Sequence, residues 1–467
     1  MTDPSPRGFI IAAPRSGSGK TAVTLGIARA LTNAGYRVAP AKTGPDYIDP
    51  AFLSRAAQAD AGEVETGSPF AAATQKSTAA INLDPWAMDA KTLTARAAQH
   101  AERHDILLIE GVMGLFDSAI DGKGSTADLA ATLDLPVILV VDCDRQAQSV
   151  AALVHGFASW RNDVTIAGII LNKVASDRHE TMLRDALAKT AIPCLGAIPR
   201  RADLALPERH LGLVLPGDIE GIEDHLARAG SIMTTHLNFR LLGAIAAPVA
   251  PAAQIASLAP LGQRIAIAHD AAFAFIYPHL LESWHNASAS LNFFSPLANE
   301  APDADADAVF LPGGYPELHG ATLANASSFK SGLINARDRG ALIYGECGGY
   351  MVLGQTLTDK SGATYPMAGL LPVSTAIDRP RRVLGYRRLT HASPLPWPEK
   401  LCAHEFHYSQ QYFPNVEQSG VTERSTPYLL APLFGAVDAL GTALDPMGCV
   451  LENVMGSYAH IIEGAAQ

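Results

Sequence analysis

The chain has 467 residues, 48 % of them hydrophobic and 17 % charged, with a net charge of −11. That length suits two globular domains, the composition excludes collagen-like and low-complexity classes, and the negative balance leaves no general basic field for nucleic acid or an anionic membrane. Five cysteines, Cys143, Cys194, Cys347, Cys402 and Cys449, are scattered without C-x-x-C spacing, which argues against zinc and against a disulfide framework.

Met1 to Gly8 carries no charged region followed by an apolar signal core. The least polar long stretch, Leu241 to Leu261, holds three prolines and makes a poor membrane span. A cytoplasmic enzyme is expected. Apolar runs at Phe9–Ala13, Val38–Ala41, Ile106–Ile109, Val137–Val141, Ile166–Leu171 and Cys194–Ile198 alternate with helical segments. Such alternation predicts a parallel sheet covered on both faces. A second α/β unit begins with Arg264–His269, Leu291–Phe294, Ala308–Leu311 and Ala341–Tyr344. The expected division is a domain over 1–238, an Ala/Pro-rich linker over 239–261 and a domain over 262–467, with no internal repeat.

The first strand runs into P-R-S-G-S-G-K-T, Pro14 to Thr21, followed by a helical Ala22–Asn33. This is a Walker A loop with Pro14 in place of the first glycine. Gly17, Ser18 and Gly19 let backbone N–H groups converge on phosphates, Lys20 supplies positive charge, and the Thr21 hydroxyl can reach Mg²⁺. A mononucleotide triphosphate, ATP, is therefore expected rather than a dinucleotide.

Two acidic motifs follow the next strands: K-T-G-P-D-Y-I-D-P (Lys42–Pro50) and E-G-V-M-G-L-F-D (Glu110–Asp117). Carboxylates at the carboxyl ends of parallel strands lie in the crevice where open α/β sheets bind ligands. Asp46 and Glu110 are candidate Mg²⁺ ligands on that ground, since Mg²⁺ favours one or two carboxylates plus phosphate oxygens.

In the second half, I-Y-G-E-C-G-G-Y-M-V (Ile343–Val352) sets Cys347 between a buried strand and a helix expected from Tyr350. A strand, a sharp turn and a helix form a nucleophile elbow, with the Gly348 N–H facing developing negative charge. The helix dipole should lower the thiol pKa. G-S-Y-A-H (Gly456–His460) offers His460 as general base.

G-E-C-G-G-Y-M, the upstream L-P-G-G-Y-P-E-L (Leu311–Leu318) and G-S-Y-x-H resemble the glutamine amidotransferase domain of cobyrinic and cobyric acid synthases. G-P-D-Y-I-D-P and E-G-V-M-G-L-F-D resemble the synthetase domain of the a,c-diamide synthases, whose fold is like dethiobiotin synthetase. The likeness extends over I-I-L-N-K-V (Ile169–Val174), D-A-A-F-A-F-I-Y-P (Asp270–Pro278) and H-E-F-H-Y-S (His404–Ser409), covering nearly the whole chain. It implies a P-loop NTPase-type parallel-sheet domain followed by a class I glutamine amidotransferase-like α/β domain. It also implies amidation of the a and c acetates of hydrogenobyrinic or cobyrinic acid through acyl phosphates, with ammonia released from glutamine and carried between sites in a dry tunnel.

Carried over by resemblance, Cys347 attacks glutamine, His460 activates it, and Gly314 or its neighbours join Gly348 at the oxyanion. Asn172 becomes an adenine-recognition candidate. Asp46, Tyr47, Asp49 and Asp117 would position substrate, metal or acyl phosphate. Five arginines lie between Arg379 and Arg388, among them Arg387, a candidate for substrate carboxylates; His404 is a candidate for the macrocycle face. The wider glutaminase class places a glutamate two residues after the histidine, where this chain has Ile462. A Cys-His dyad is expected, with the third member open and Glu463 a solvated residue. A partitioning-type switch ATPase, cobyric acid synthase and a nickel-sirohydrochlorin amidase are the rival readings. A homodimer is compatible with the sequence and not specified by it.

Overall fold

The computed structural model describes residues 5–58, 79–204, 215–251, 253, 257–413 and 431–465. Two compact units divide the chain, Met1–Ala256 and Ser257–Gln467.

The first unit carries β1 (Arg7–Ala12), β2 (Val38–Thr43), β3 (Ile81–Leu83), β4 (Ile106–Glu110), β5 (Val137–Asp142), β6 (Ile166–Val174), β7 (Cys194–Pro199) and β8 (Ala247–Pro248). They lie in the order β3-β2-β4-β1-β5-β6-β7, with β8 paired to β1 off that path. Pairing along the path is parallel, and β8 alone runs antiparallel. Phe9, Ile11, Ile138, Val140 and Ile170 are fully buried, as expected for strands covered on both faces. Each such side chain adds about 1.5–3 kcal/mol of burial free energy. Helix α1 (Lys20–Asn33) lays Val23 to Leu31 into the same core.

The register decides what meets at the carboxyl edge. Ile11 and Lys42 both pair with Glu110, from opposite sides, and Asp142 pairs with Asn172. The phosphate loop, both acidic motifs and the Asn-Lys segment are thereby gathered at one end of the sheet.

Within the first unit, the segment read as a linker carries a helix and a short strand. Asn238 caps a helix over Phe239–Ile245, its side chain accepting from the Leu241 N–H. Beyond it, Ala247 and Pro248 pair with Gly8 and Arg7. The reason lies in β1: its pairing with β5 starts only at Ile10, so the backbone of its first residues is free to take β8.

The second unit has a six-stranded sheet built from β9 (Arg264–Ala268), β10 (Ser290–Phe294), β11 (Ala308–Leu311), β12 (Leu342–Glu346), and, after two small sheets, β20 (Cys449–Leu451) and β21 (Val454–Ser457). Its order is β10-β9-β11-β12-β21-β20. One small sheet joins β13 (Thr356–Thr358), β14 (Thr364–Pro366), β15 (Ser374–Ala376) and β18 (Gln410–Tyr412). The other joins β16 (Val383–Thr390), β17 (Lys400–His407), β19 (Gly435–Asp438) and β22 (Ala459–Gly464) in the order β19-β16-β17-β22. Only Tyr458 separates β21, paired with β12, from β22, paired with β17. That crossing carries His460 from the large sheet toward the cysteine.

Two candidate active sites

In the first unit, Gly17 and Gly19 take left-handed φ of 78° and 85°, conformations that cost glycine nothing. No side chain caps α1, so its N-terminus retains its dipole and N–H groups for an anion. The loop borders a cavity of about 600 Å³, lined also by Lys42, Asp46, Asp49, Asn172 and Lys173 and by an apolar wall of Ile48, Phe52, Val112 and Met113.

Charge is concentrated behind the loop. Glu110 is completely buried; its Oε1 accepts from Thr21 Oγ1 at 2.6 Å and lies 3.4 Å from Lys20 Nζ and 3.2 Å from Lys42 Nζ. Burial would lower the Lys42 ammonium, but Asp49 and Glu110 override it and hold it above its ordinary value. Burial and the Lys42 charge instead lower Lys20. Asp46 is pushed up to about 6 by burial and by Asp49, while its Oδ1 accepts from Ile48 N at 2.7 Å. Asp49, despite burial, is held below the usual carboxylate range by Lys42.

The Mg²⁺ candidates fit a hard cation. Glu110 Oε2 is buried and has no hydrogen-bond partner among the described residues, which is costly unless something positive faces it. The Thr21 hydroxyl adjoins the same carboxylate, and Asp46 faces the cavity.

Asn172, read as a base-recognition residue, lines the cavity, donates from Nδ2 to Ser18 O at 2.8 Å and accepts the Lys173 N–H, contacts that also brace the phosphate loop. Asp117 accepts from Gly114 N at 2.8 Å and does not line the cavity; it holds the turn of its own motif. Tyr47 stands at the N-cap of α2 (Ile48–Ala56), also outside the lining. Sequence reasoning gave no role to Lys42 and Lys173, although both lie in motifs it singled out. Lys173 Nζ bridges Gly17 O at 3.1 Å and Asp142 at 2.9 Å.

In the second unit, β12 runs through Glu346 and the next helix starts at Gly348, so the turn is Cys347 alone, at φ 48° and ψ −106°. The helix begins two residues before the expected Tyr350. Strain in a non-glycine residue at such an elbow is a feature of functional turns. Cys347 N donates to Ser457 O at 2.8 Å, which ties the elbow to β21.

Gly313 sits between nucleophile and base. A Cβ there would overlap His460 Cε1 and lie 3.3 Å from Cys347 Cβ. Gly348 is packed so that a Cβ on it would lie 3.0 Å from the Gly314 nitrogen. Cys347, His460, Gly314 and Gly348 therefore converge, and Gly313, a neighbouring glycine of the quoted L-P-G-G string, lies among them. Burial, followed by the nearby Glu317 charge, pushes the Cys347 thiol up, against the opposing Gly348 N–H. The expected dipole effect is reversed because the six-residue helix is outweighed by complete desolvation. His460 is pushed down to about 3 by burial and by His404 and His407, so it is a neutral imidazole at pH 7, the form a general base needs, in surroundings that disfavour its charged form.

His404 pairs directly with His460 across β17 and β22, and burial with Arg387 lowers it to about 4. Arg387 is buried, its Nε donating to Glu405 Oε2 at 2.7 Å, and Glu405 Oε1 is 2.9 Å from His407 Nε2. His404, read as a macrocycle contact, thus lies beside His460, and Arg387, read as a substrate-carboxylate contact, is paired with Glu405. Arg387 is committed to an internal carboxylate, unlike the exposed Arg379, Arg381 and Arg382. Glu463, expected to be solvated, is buried at 7 % exposure and accepts the Gly464 N–H.

Residues 9–214 match the CobQ/CobB/MinD/ParA nucleotide binding domain family, and residues 264–467 match the CobB/CobQ-like glutamine amidotransferase domain family. A nucleotide-binding unit followed by a glutaminase unit defines a glutamine-hydrolysing amide ligase. The chain is 49 % identical over 461 residues to hydrogenobyrinate a,c-diamide synthase of Brucella abortus, covering 98 % of each. It is 48 % identical to the protein of that name from Rhizobium meliloti, over 98 % of this chain and 99 % of that one, and 44 % identical, with the same coverages, to that of Rhodobacter capsulatus. It belongs to the hydrogenobyrinate a,c-diamide synthase family. Among the described residues no helix is long and apolar enough to cross a membrane.

Proposed function

We propose that this protein amidates the a and c acetate side chains of hydrogenobyrinic acid, using ATP and glutamine, in the cytoplasm. The observation that carries the reading is the 49 % identity, over 98 % of both chains, to a protein of that activity, joined to one phosphate-binding cavity and one cysteine elbow in the same chain.

In the first unit a substrate carboxylate oxygen attacks the γ-phosphorus of ATP, ADP departs, and an acyl phosphate forms. A carboxylate cannot otherwise lose oxide; phosphate is a competent leaving group. Lys20 and the loop N–H groups hold the phosphates, and Lys42, kept charged by Asp49 and Glu110, adds a fixed positive centre. Thr21, Glu110 and Asp46 would hold Mg²⁺, which supplies neutralisation of the charge on the transferring phosphoryl group. Ammonia then attacks the acyl carbon, phosphate leaves, and loss of a proton gives the amide; two such rounds give the diamide.

In the second unit His460 takes the Cys347 proton and the thiolate attacks the glutamine side-chain amide. The Gly314 and Gly348 N–H groups face the resulting oxyanion. Collapse expels ammonia, and water cleaves the thioester to glutamate.

Incubation of the purified protein with hydrogenobyrinate, ATP, Mg²⁺ and glutamine, read by product mass, tests the proposal. Two carboxyl-to-amide conversions are expected; conversion of cobyrinate or nickel-sirohydrochlorin in place of hydrogenobyrinate, or of neither, overturns it.

A further inference from the structure

Glu346, the last residue of β12, directly precedes the nucleophile and is 2 % exposed. Its Oε1 accepts from Ile461 N at 3.2 Å and from Tyr344 Oη at 3.1 Å. Those two donors hold Oε1, and the second oxygen, Oε2, lies 3.8 Å from His460 Nδ1, within ion-pair range and beyond hydrogen-bond distance. Histidine bases are oriented through the ring nitrogen that does not do the chemistry.

The position two after His460 cannot supply that partner here. It is Ile462, the extra residue of a bulge where β17 pairs Cys402 with Glu463 and Ala403 with Ile461. Its carbonyl accepts from His279 Nε2.

Resting on the Cys347–His460 reading above, we propose that Glu346 is the positioning residue for His460, placed on the nucleophile's own strand rather than after the base. Ionised Glu346, at ion-pair distance from Nδ1, favours the tautomer that carries its proton there and so leaves the Nε2 lone pair for the Cys347 thiol. Protonated Glu346 would donate to Nδ1, which puts the imidazole proton on Nε2 and blocks the base. Glutamine hydrolysis therefore follows the ionisation of Glu346. Burial raises that carboxyl to about 8, opposed by the Ile461 N–H and the Tyr344 hydroxyl, so activity rises with pH through the neutral to mildly alkaline range. The other titratable groups around the pair, among the described residues, are Tyr344 and Cys347 from the nucleophile strand and turn, Tyr458 from the crossing before β22, His404, Glu405 and His407 from β17, and Glu317 from the L-P-G-G-Y-P-E-L segment.

The test measures glutamate release and ammonia-dependent synthesis by the full-length protein from about pH 6 to about pH 9. Glu346→Gln is expected to lower kcat for glutamine about a hundredfold or more, with KM little changed, the acid limb of the profile abolished and ammonia-dependent synthesis intact. Tyr344→Phe removes a hydrogen bond to the ionised form, so the limb is expected to move to higher pH with its plateau retained. A Glu346→Gln protein with wild-type kcat and limb overturns the proposal. If that variant loses ammonia-dependent synthesis as well, Tyr344→Phe decides, and an unmoved limb overturns it. Cys347→Ala and His460→Ala are run alongside: glutaminase activity surviving in either would sink the dyad itself, a failure distinct from that of Glu346.

Discussion

Thr21 Oγ1 donates to Glu110 Oε1 across 2.6 Å, while the second oxygen of that fully buried carboxylate has no partner among the described residues. A helix-start hydroxyl and a strand-end carboxylate 89 positions apart thus make one polar centre behind the phosphate loop. Glu110→Gln keeps the shape and removes the charge. ATP-dependent synthesis should fall about 10²- to 10³-fold, with glutamate release by the second unit largely retained; parallel assays of ADP and glutamate decide it.

Cys347→Ala should lose glutamine-dependent synthesis by on the order of a thousandfold or more. Synthesis from added ammonium salt should stay near wild type, since the phosphate-loop site is untouched. Equal loss of both activities would contradict two separate chemistries.

Gly313→Ala sets a methyl group against His460 Cε1 and beside Cys347 Cβ. Displacing the imidazole by even about 1 Å costs on the order of a hundredfold in rate, so kcat for glutamine should drop by that much. Ammonia-dependent synthesis again serves as the control for folding.

His460 should remain neutral well below its ordinary titration range. Its pKa is pushed down to about 3 by burial and by His404 and His407, so the neutral form predominates at every pH above that value. Ring-proton NMR of a histidine-labelled sample should show no titration of His460 between about pH 5 and about pH 8. A midpoint near the ordinary value would refute complete desolvation.

Arg387→Ala should act on stability and on glutamine use. The Arg387–Glu405 pair is about nine-tenths buried on both sides, and breaking a buried pair by removing one partner costs about 3–5 kcal/mol. A lowered Tm with an unchanged KM for the macrocycle is expected. A raised macrocycle KM at unchanged Tm would return Arg387 to substrate binding.

What could be read from the sequence was what a few consecutive residues determine. Gly17 and Gly19 before Lys20 encode a phosphate loop because its geometry is local, and E-C-G-G encodes an elbow for the same reason. The alternation of apolar runs and helices carried the parallel sheets, since burial on both faces leaves a one-dimensional signature. Tertiary structure decided whatever depended on strand register and on depth. Lys42 joins Glu110 because β2 and β4 pair in that register, and Glu346 meets His460 because only Tyr458 separates two strands of different sheets. Depth reversed the expected direction for Cys347: a helix dipole is visible in sequence, but the desolvation that outweighs it is a property of everything packed around the thiol.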